Sequence, residues 1–259
     1  MLRSTTSSCL PKTVMEDKII GRNPVLEAIR SGREIDKLLV KKGRFEGSIV
    51  PIIKKAKQQG IIIQEVERQK LDQLSEGENH QGIIAFVSAH EYVSISEILE
   101  RAKAKEEAPF ILLCDKITDP HNLGAILRTA NAAGVHGVII PKRNSVGLNS
   151  VVAKTSAGAI EYTPVARVTN LVQTMQQLKE EGLWIAGADM GGESMQKANL
   201  TGALGLVIGS EGEGISRLVK ETCDFLVQIP MLGEISSLNA SVAASVLMYE
   251  AVRQRQQEK

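Results

Sequence analysis

One helix-forming segment, residues 119–130, carries an arginine and an asparagine among mostly small or apolar residues. Asp119 is a suitable N-cap, and Pro120 suits the first helical position, where its missing N–H costs no hydrogen bond. At about 100° per residue, the large apolar side chains share one face, and Asn122 and Arg128 are predicted on the opposite, exposed face. The alanines around Arg128 leave room for a ligand, although a surface arginine without a role is an equally acceptable interpretation of this helix alone.

A glycine-rich loop, residues 209–214, follows a predicted strand and precedes a predicted helix. It is not a phosphate loop, because Ile215 stands where that motif requires lysine and because its two carboxylates would repel phosphate. The dinucleotide-binding pattern of glycines is also absent. The glycines indicate that a neutral or cationic ligand approaches the main chain closely or that the loop needs positive φ angles. Glu211 either points into this site or favours the start of the next helix.

A third polar loop, residues 230–239, separates a predicted strand from the last long helix. Ser236, Ser237 and Asn239 are each good helix caps, and a helix start needs one of them. The remaining polar groups and Gly233 exceed what capping requires, which suggests that the loop contacts a ligand.

The elements that position these loops belong to an α/β domain, residues 108–259, in which short apolar runs alternate with helical patterns. This alternation predicts a largely parallel sheet with helices on both faces. The predicted strands are residues 110–114, 135–140, 160–165, 183–187, 204–208 and 225–229, and the predicted helices lie near residues 121–133, 148–157, 170–181, 213–221 and 238–255. Ligands bind outside the carboxyl ends of such strands. The segment that leads into the first helix, residues 115–122, the glycine-rich loop and the third polar loop are all expected there.

Three further segments precede this domain. Residues 1–16 are predicted to be a disordered leader, with a weak targeting segment or a start at Met15 as alternatives. Residues 17–90 are predicted to form a small α/β domain, and residues 91–107 a charge-dense linker with helical spacing.

The charge distribution predicts that the small domain binds a polyanion, although a basic surface without a partner explains it equally well. Residues 1–60 contain 13 Lys and Arg against 6 Asp and Glu, whereas the rest contains 18 against 24. The candidate phosphate contacts are Arg22, Arg30, Arg33, Lys37, Lys41, Lys42, Arg44, Lys54, Lys55 and Lys57.

Several function classes are excluded by composition. No apolar run approaches the roughly 18 residues of a membrane span, and the first twenty residues lack the apolar region of a secretory signal, so we expect a cytoplasmic protein without membrane contact. The three cysteines lack the spacing of a disulfide framework or a zinc site, and no metal is expected.

The three loops contain recognisable motifs. The sequence reads DPHNLG at residues 119–124 with RTA at 128–130, then IGSEGEG at 208–214, then IPM at 229–231 with SLNASVA at 237–243. In this order they resemble the three motifs of the SpoU-type RNA ribose methyltransferases, over roughly residues 108–255. GRNPVLEA at residues 21–28 and NHQG at 79–82 resemble the substrate-binding domain of one branch of that family, and the most similar branch methylates a guanosine of 23S ribosomal RNA.

The resemblance implies transfer of a methyl group from S-adenosylmethionine to a ribose 2′-hydroxyl, by a homodimer whose catalytic domain contains a trefoil knot and whose two chains both shape the active site. By the same resemblance, the cofactor lies against Gly209, Ile229, Met231 and Leu238. The residues around the reacting ribose are Asn122, Arg128, Glu211, Ser237 and Asn239. The RNA contacts expected from the resemblance are Arg22, Asn23 and His80, and those expected from the basic charge of the small domain are Lys41 and Lys42.

The chemistry of Arg128 admits two roles. The resemblance implies a base that takes the ribose proton, but a neutral arginine at pH 7 costs on the order of 8 kcal/mol. Arg128 could equally hold the adjacent phosphate and stabilise developing oxyanion charge. Glu211 is expected to orient Arg128 or a group of the partner subunit, since a carboxylate is too weak a base for a ribose hydroxyl. Asn122, Ser237 and Asn239 would align the reactants.

Alternatives stay open at the level of the sequence. Ribosomal RNA is favoured as substrate over transfer RNA, and a non-catalytic RNA-binding module that retains the fold is a further possibility. A nucleotide- or phosphate-binding enzyme is disfavoured by the missing phosphate loop. With four Phe, three Tyr and one Trp, extensive stacking on bases is not expected, so recognition should depend on backbone charge and RNA shape.

Overall fold

The computed structural model describes residues 18–257, and the predicted leader, residues 1–16, lies outside the described residues. The first unit of the described chain alternates short strands with helices. Its elements are β1 (Lys18–Ile20), α1 (Arg22–Arg30), β2 (Ile35–Lys41), α2 (Ile49–Gln58), β3 (Ile62–Val66), α3 (Arg68–Leu74) and β4 (Ile83–Val87). The sheet has the strand order β1-β4-β2-β3, in which β2 and β3 run parallel and the other pairs antiparallel.

Hydrophobic spacing explains how the helices of this unit pack. The buried residues of α2 are Ile49, Ile52, Ile53 and Ala56, which recur at intervals of three and four and therefore share one face. That face joins α1 and the sheet in one apolar cluster. Burying each isoleucine contributes about 1.5–3 kcal/mol, so this cluster fixes the helices on the sheet.

The second unit contains a six-stranded parallel sheet. Its elements are α4 (Ile95–Ala104), β5 (Phe110–Cys114), α5 (Pro120–Ala132), β6 (Gly137–Pro141), α6 (Ser150–Thr155), β7 (Val165–Val168), α7 (Leu171–Glu180), β8 (Trp184–Ser194), β9 (Leu204–Ile208), α8 (Arg217–Thr222), β10 (Phe225–Gln228) and α9 (Ala240–Gln257). The strand order is β10-β8-β9-β5-β6-β7, and every pair is parallel.

Helices cover both faces of this sheet, which confirms the predicted fold class. Every residue of β5 is buried, and its side chains alternate between two apolar clusters. Phe110, Leu112 and Cys114 pack with α5 and α9, while Ile111 and Leu113 pack with α4 and α7. The trefoil knot stays a prediction.

The prediction of a strand at residues 160–165 is wrong. Ala159–Glu161 forms a 3-10 turn in which Ile160 packs into the core beside α5, and the strand begins at Val165. A short apolar run fits a buried turn as well as a strand, so the spacing of apolar residues could not distinguish the two structures. The helix predicted from residue 213 begins at Arg217. In the first unit, the short strand β1 was not predicted from the sequence.

The segment between the two units is structured. Ser94 and Glu97 form a capping box at the start of α4, Ile98 and Ala102 of this helix are fully buried, and Ile98 packs in the apolar cluster of the second sheet. Residues 91–107, predicted as a linker with helical spacing, thus contain a helix that belongs to the core of the second unit.

Polar contacts around Asp36 and Tyr92 join the two units. The Tyr92 hydroxyl donates to Asp36 Oδ1 at 2.9 Å and accepts from the Leu148 N–H at 3.0 Å. Arg167 also donates to Asp36, and its guanidinium lies 5.3 Å from the centre of the Tyr92 ring. Burial raises the pKa of Tyr92, so its hydroxyl stays protonated and able to donate at neutral pH. These contacts set how the small unit sits on the parallel sheet.

Candidate active site

Three of the loops singled out in the sequence meet at one edge of the parallel sheet. Strands β5, β9 and β10 end at Cys114, Ile208 and Gln228, and the loops that follow lead into α5, α8 and α9. Because β8, β9 and β5 are neighbours in the sheet and β10 lies beside β8, the carboxyl ends of these strands are close together. The expectation that parallel strands gather the loops is therefore confirmed.

A cluster of three polar side chains lies where these loops meet. The amide nitrogen of Asn122 donates to Glu211 Oε1 at 2.7 Å, and that of Asn239 donates to Asn122 Oδ1 at 2.9 Å. Asn239 also donates to the same oxygen of Glu211. The prediction that Asn122 lies on the exposed face of its helix is wrong, because this side chain turns toward the other two and is only 9% exposed.

Asn239 has a second role as the N-terminal cap of α9. Its Oδ1 accepts from the backbone N–H groups of Ser241 at 3.0 Å and Val242 at 3.3 Å. One amide thus caps a helix with its oxygen and contacts Glu211 with its nitrogen. Since Asn239 is the cap, Ser236 and Ser237 are not needed for capping, and both line the cavity described below.

Glu211 contacts the two asparagines rather than Arg128. Of the two roles left open for it, the structure supports the one inside the site, because α8 begins six residues later with Ser216 as its N-cap. The Ser216 N–H in turn donates to Asp115 Oδ2 at 2.7 Å. The carboxylate of Glu211 therefore fixes the relative positions of α5 and α9.

Glycine is required at position 209 because the loop folds back on its own main chain. Ser210 and Gly214 exchange two backbone hydrogen bonds of 3.1 and 3.0 Å, and this closes a tight hairpin. A Cβ atom on Gly209 would lie 2.1 Å from the carbonyl carbon of Gly214. Gly212 and Gly214 have φ angles of 80° and 66°, which other residues adopt at a cost. The predicted positive φ angles are present, whereas the close approach at Gly209 is that of the loop's own main chain, and the approach of a ligand stays a prediction.

A cavity of about 370 Å³ opens beside the hairpin, and we call it the knot-loop cavity because it is lined by the loops in which the family resemblance predicts the knot. Its volume lies in the range of about 300–1,000 Å³ that is usual for small-molecule sites. Apolar side chains such as Ile208, Val227 and Leu247 form one wall, and the glycine-rich hairpin forms another. All four predicted cofactor contacts line this cavity: Gly209, Ile229, Met231 and Leu238.

The charge of the knot-loop cavity is negative. Asp189, Glu211 and Glu213 line it, and no lysine or arginine is among its lining residues. Glu213 pairs with Lys116 at 3.0 Å and Asp189 with Lys220 at 2.9 Å, but neither lysine lines the cavity. Such a site favours a neutral or cationic ligand, as the sequence of the glycine-rich loop predicted.

Asp189 lines the cavity but was not among the site residues predicted from the sequence. Burial raises the pKa of this carboxyl, but hydrogen bonds from Lys220 and the Gly191 N–H outweigh that effect, and the pKa lies below its usual value. Asp189 is therefore ionised at neutral pH. The predicted strand ended at residue 187, whereas β8 continues to Ser194 through an irregular pairing with β10. Its position two residues after the predicted end of a parallel strand, at the same sheet edge as the three loops, was the signal that could have identified it.

Arg128 stands apart from the polar cluster within one chain. It is exposed, and it lies six residues after Asn122, which is about 9 Å along the axis of α5. Within residues 18–257 its side chain has no hydrogen bond or ion pair, and it does not line the knot-loop cavity. Its guanidinium is available to a bound molecule.

The predicted RNA contacts are divided between a second cavity and the surface. Arg22, Lys41, Lys42 and His80 line a cavity of about 460 Å³ in the small unit, whereas Asn23 is exposed outside it. His80 is only 7% exposed, and both of its ring nitrogens are engaged. Nδ1 accepts from the Gly82 N–H, and Nε2 contacts Asp72 at 2.9 Å. His80 therefore holds the loop that forms the cavity.

The described part of the chain contains no group of His, Cys, Asp and Glu side chains that could hold a metal ion. Among its helices, none has both the length and the apolar character needed to cross a membrane.

Replacing Asn239 with aspartate separates its two roles. Aspartate caps a helix as well as asparagine does, so we expect α9 to keep its start, and any fall in the melting temperature to come from the lost contacts with Asn122 and Glu211. A carboxylate beside Glu211 removes two hydrogen bonds and adds repulsion, so turnover should fall about 100-fold through misplacement of the site. Asn239→Ala is the matched comparison, because it should lose turnover and also about 1 kcal/mol of stability with the cap. Full turnover in Asn239→Asp would contradict a role for the cluster.

Comparisons with known proteins point to one family. The model of the SpoU rRNA Methylase family matches residues 109–249, and a model described as RNA 2′-O ribose methyltransferase substrate binding matches residues 18–93. YacO of Bacillus subtilis, whose name assigns it to the TrmH family of tRNA/rRNA methyltransferases, is 50% identical over 240 residues, which are 92% of this chain and 96% of YacO.

Two solved structures are similar over most of their length. The SpoU methyltransferase AviRb from Streptomyces viridochromogenes, in complex with the cofactor AdoMet, has 26% identity and a TM-score of 0.59, with 93% of this chain and 90% of AviRb covered. The TrmH/SpoU tRNA modifying enzyme of A. aeolicus has 27% identity and a TM-score of 0.54, with 62% of this chain and 85% of that enzyme covered.

Proposed function

The chain belongs to the SpoU rRNA methylase family, and from this premise we propose that it methylates a guanosine ribose of 23S ribosomal RNA at the 2′-hydroxyl. It is an S-adenosylmethionine-dependent RNA methyltransferase. The single observation that supports the assignment of the site is the position of the knot-loop cavity, which the second and third motif loops line and the polar cluster of Asn122, Glu211 and Asn239 borders.

The residues of the knot-loop cavity fit S-adenosylmethionine. This cofactor carries a positively charged sulfur, and the cavity offers three carboxylates and no cation. The apolar wall suits the adenine ring, and the hairpin at Gly209 exposes main chain to the ligand. We propose that Gly209, Ile229, Met231 and Leu238 contact the cofactor and that Asp189 faces its polar groups.

When bound, S-adenosylmethionine supplies a methyl group that is activated by the charged sulfur. The chain itself must align the ribose oxygen with that methyl group, and we assign this positioning to Asn122, Ser237 and Asn239. Two of these three are already locked by Glu211, so little reorganisation is needed when the RNA binds. The ribose proton passes to solvent water as the new oxygen–carbon bond forms, because methylation of the hydroxyl oxygen makes its proton far more acidic.

We assign Arg128 to the target phosphate and to developing charge on the ribose oxygen. Its guanidinium has no acidic partner in the described chain, and Glu211, which was expected to orient it, is held by Asn122 and Asn239. An unpaired, exposed arginine is suited to bidentate contact with a phosphate, and this role does not require the costly neutral form.

The choice of ribosomal RNA is supported by the small domain, because the substrate-binding model covers residues 18–93 and the family model is named for rRNA. Transfer RNA is the second candidate, and the name of YacO includes both substrates. A homodimer, with both chains contributing to the site, and a cytoplasmic location stay predictions from the sequence.

The target is tested by offering both RNAs to the protein. We expect the full-length chain, with S-adenosylmethionine, to methylate unmodified 23S rRNA at one guanosine and to leave unmodified tRNA transcripts unchanged, with the position mapped by resistance of the 2′-O-methylated linkage to alkaline hydrolysis. Methylation of tRNA with no product in 23S rRNA would contradict the proposed target and favour the second candidate.

A further inference from the structure

The cavity of about 460 Å³ in the small unit has the character of an anion site, and we call it the basic cavity. It lies at one end of the first sheet, between the loop after β2 and the loop before β4. Five cationic side chains line it, and Glu46 is the single carboxylate among the lining residues. The five cations are Arg22, Lys41, Lys42, Arg44 and Arg68.

The walls of the basic cavity are held in place by a network around Arg22. The Arg22 side chain donates to the carbonyl of Gln81 at 3.0 Å and to the Ser48 hydroxyl at 3.0 Å. Its backbone N–H donates to Gln81 Oε1 at 3.0 Å. Gln81 has a φ of 50°, which is strained for a residue other than glycine, and His80 anchors the same loop on Asp72. Such a conformation persists where the surrounding structure fixes it, and here the contacts of Arg22 and His80 do so.

The positive charge of the basic cavity is available to a ligand. Within residues 18–257, neither Arg22 nor Lys41 pairs with a carboxylate. The ion pairs of the other three cations are exposed and long, at 3.4 Å for Lys42, 3.7 Å for Arg44 and 3.8 Å for Arg68. Exposed pairs of this kind contribute little, so a phosphate can replace the carboxylates at small cost.

Phosphate binding alone does not explain the remaining residues of the basic cavity. Phe45 is partly buried, packs against the core of the small unit and also lines the cavity. The side-chain NH₂ groups of Asn79 and Gln81 donate to no protein atom in the described chain, whereas their oxygens accept from Gln81 and Arg22. An aromatic ring, amide donors and cations together match the base, base edge and phosphate of a nucleotide.

We propose that the basic cavity captures one unpaired nucleotide of the RNA substrate, with its base on Phe45 and its phosphate at Arg22 and Lys41. This inference rests on the proposed function only in taking RNA as the substrate. An A-form duplex keeps its bases stacked inside, so the occupant is a nucleotide of a loop, a bulge or a single strand. The small domain then selects a flexible site in the RNA, and the amides of Asn79 and Gln81 favour bases with acceptors on the exposed edge.

The proposal is tested by the affinity of the full-length protein for two RNA probes, a short single strand and the same strand in a fully paired duplex. We expect tighter binding of the single strand. Phe45→Leu preserves an apolar side chain that packs on the core but removes the stacking surface, so it should weaken single-strand binding roughly 5- to 100-fold. The slope of log Kd against log salt should not change in this variant.

Charge variants complete the design. Lys41→Gln should weaken the binding of both RNA probes and reduce the slope of log Kd against log salt by about one. Lys57 is an exposed residue of α2 that lies outside the cavity. Lys57→Gln should therefore lower the RNA affinity and the salt slope less than Lys41→Gln does. Unchanged single-strand affinity in Phe45→Leu, or equal affinity for single strand and duplex, would overturn nucleotide capture and leave a site for backbone charge alone. Binding of S-adenosylmethionine, measured by calorimetry on the same preparations, reports separately on the proposed function.

Discussion

Replacing Arg128 with alanine is expected to lower turnover about 1,000-fold while leaving the affinity for S-adenosylmethionine within about twofold. The loss follows from the removal of an electrostatic contact to the phosphate and the developing oxyanion, for which effects of about 10²–10³-fold are usual. Affinity for the cofactor should not change, because Arg128 does not line the knot-loop cavity. The measurement is single-turnover methylation of RNA with calorimetry of cofactor binding on the same protein.

Arg128→Lys is the matched variant for this experiment. It retains the positive charge but loses the planar fork that contacts two phosphate oxygens, so we expect it to recover a small part of the lost rate. Stability should be unaffected in both variants, because the side chain is exposed and makes no hydrogen bond in the described chain. Turnover of Arg128→Ala close to that of the unaltered protein would show that the arginine is a surface residue without a role.

Gly209→Ala is expected to have the second large effect, on cofactor binding. The added methyl group would lie 2.1 Å from the carbonyl carbon and 2.3 Å from the carbonyl oxygen of Gly214, and the atoms it meets are main chain, which cannot rotate away. The hairpin must open, at a cost of about 1–3 kcal/mol. Because this hairpin is one wall of the knot-loop cavity, Kd for S-adenosylmethionine should rise roughly 10- to 100-fold.

Gly233→Ala provides the control for this prediction. Gly233 lies in the loop before α9, where an added Cβ would meet no atom within 4 Å, and its φ is not positive. We expect its melting temperature and cofactor affinity to match those of the unaltered protein. If Gly209→Ala bound S-adenosylmethionine as tightly as Gly233→Ala, the cofactor would not lie in the knot-loop cavity.

The location of the site could be predicted because each of its loops follows an apolar strand with a clear end. The runs ending at Cys114 and Ile208 are strands with those bounds, and parallel pairing places their ends together. The burial of Asn122 could not be predicted, since its partners Glu211 and Asn239 are 89 and 117 residues away in the chain. Helix periodicity reports one element at a time, and it therefore placed this side chain on the exposed face.

The basic cavity, too, could be predicted from the sequence only in part. An excess of lysine and arginine in residues 1–60 predicted that the small domain meets a polyanion, but ten cations were candidates and packing decided which of them converge. Arg68 lines the cavity although it was not among the candidates, while Lys54 and Lys57 lie outside it. Phe45 was not predicted, because a single phenylalanine in a loop has no periodic pattern that marks its neighbours.

The central claim is that the motif loops form the cofactor site. It is tested most directly by following a labelled methyl group from S-adenosylmethionine into the RNA. The full-length protein is incubated with RNA and S-adenosylmethionine that carries a deuterated methyl group, and the RNA is digested to nucleosides for mass spectrometry. We predict that the label appears on the ribose of 2′-O-methylguanosine and that Gly209→Ala reduces it together with cofactor affinity. Label on a base, or cofactor binding without label in any RNA nucleoside, would contradict the account.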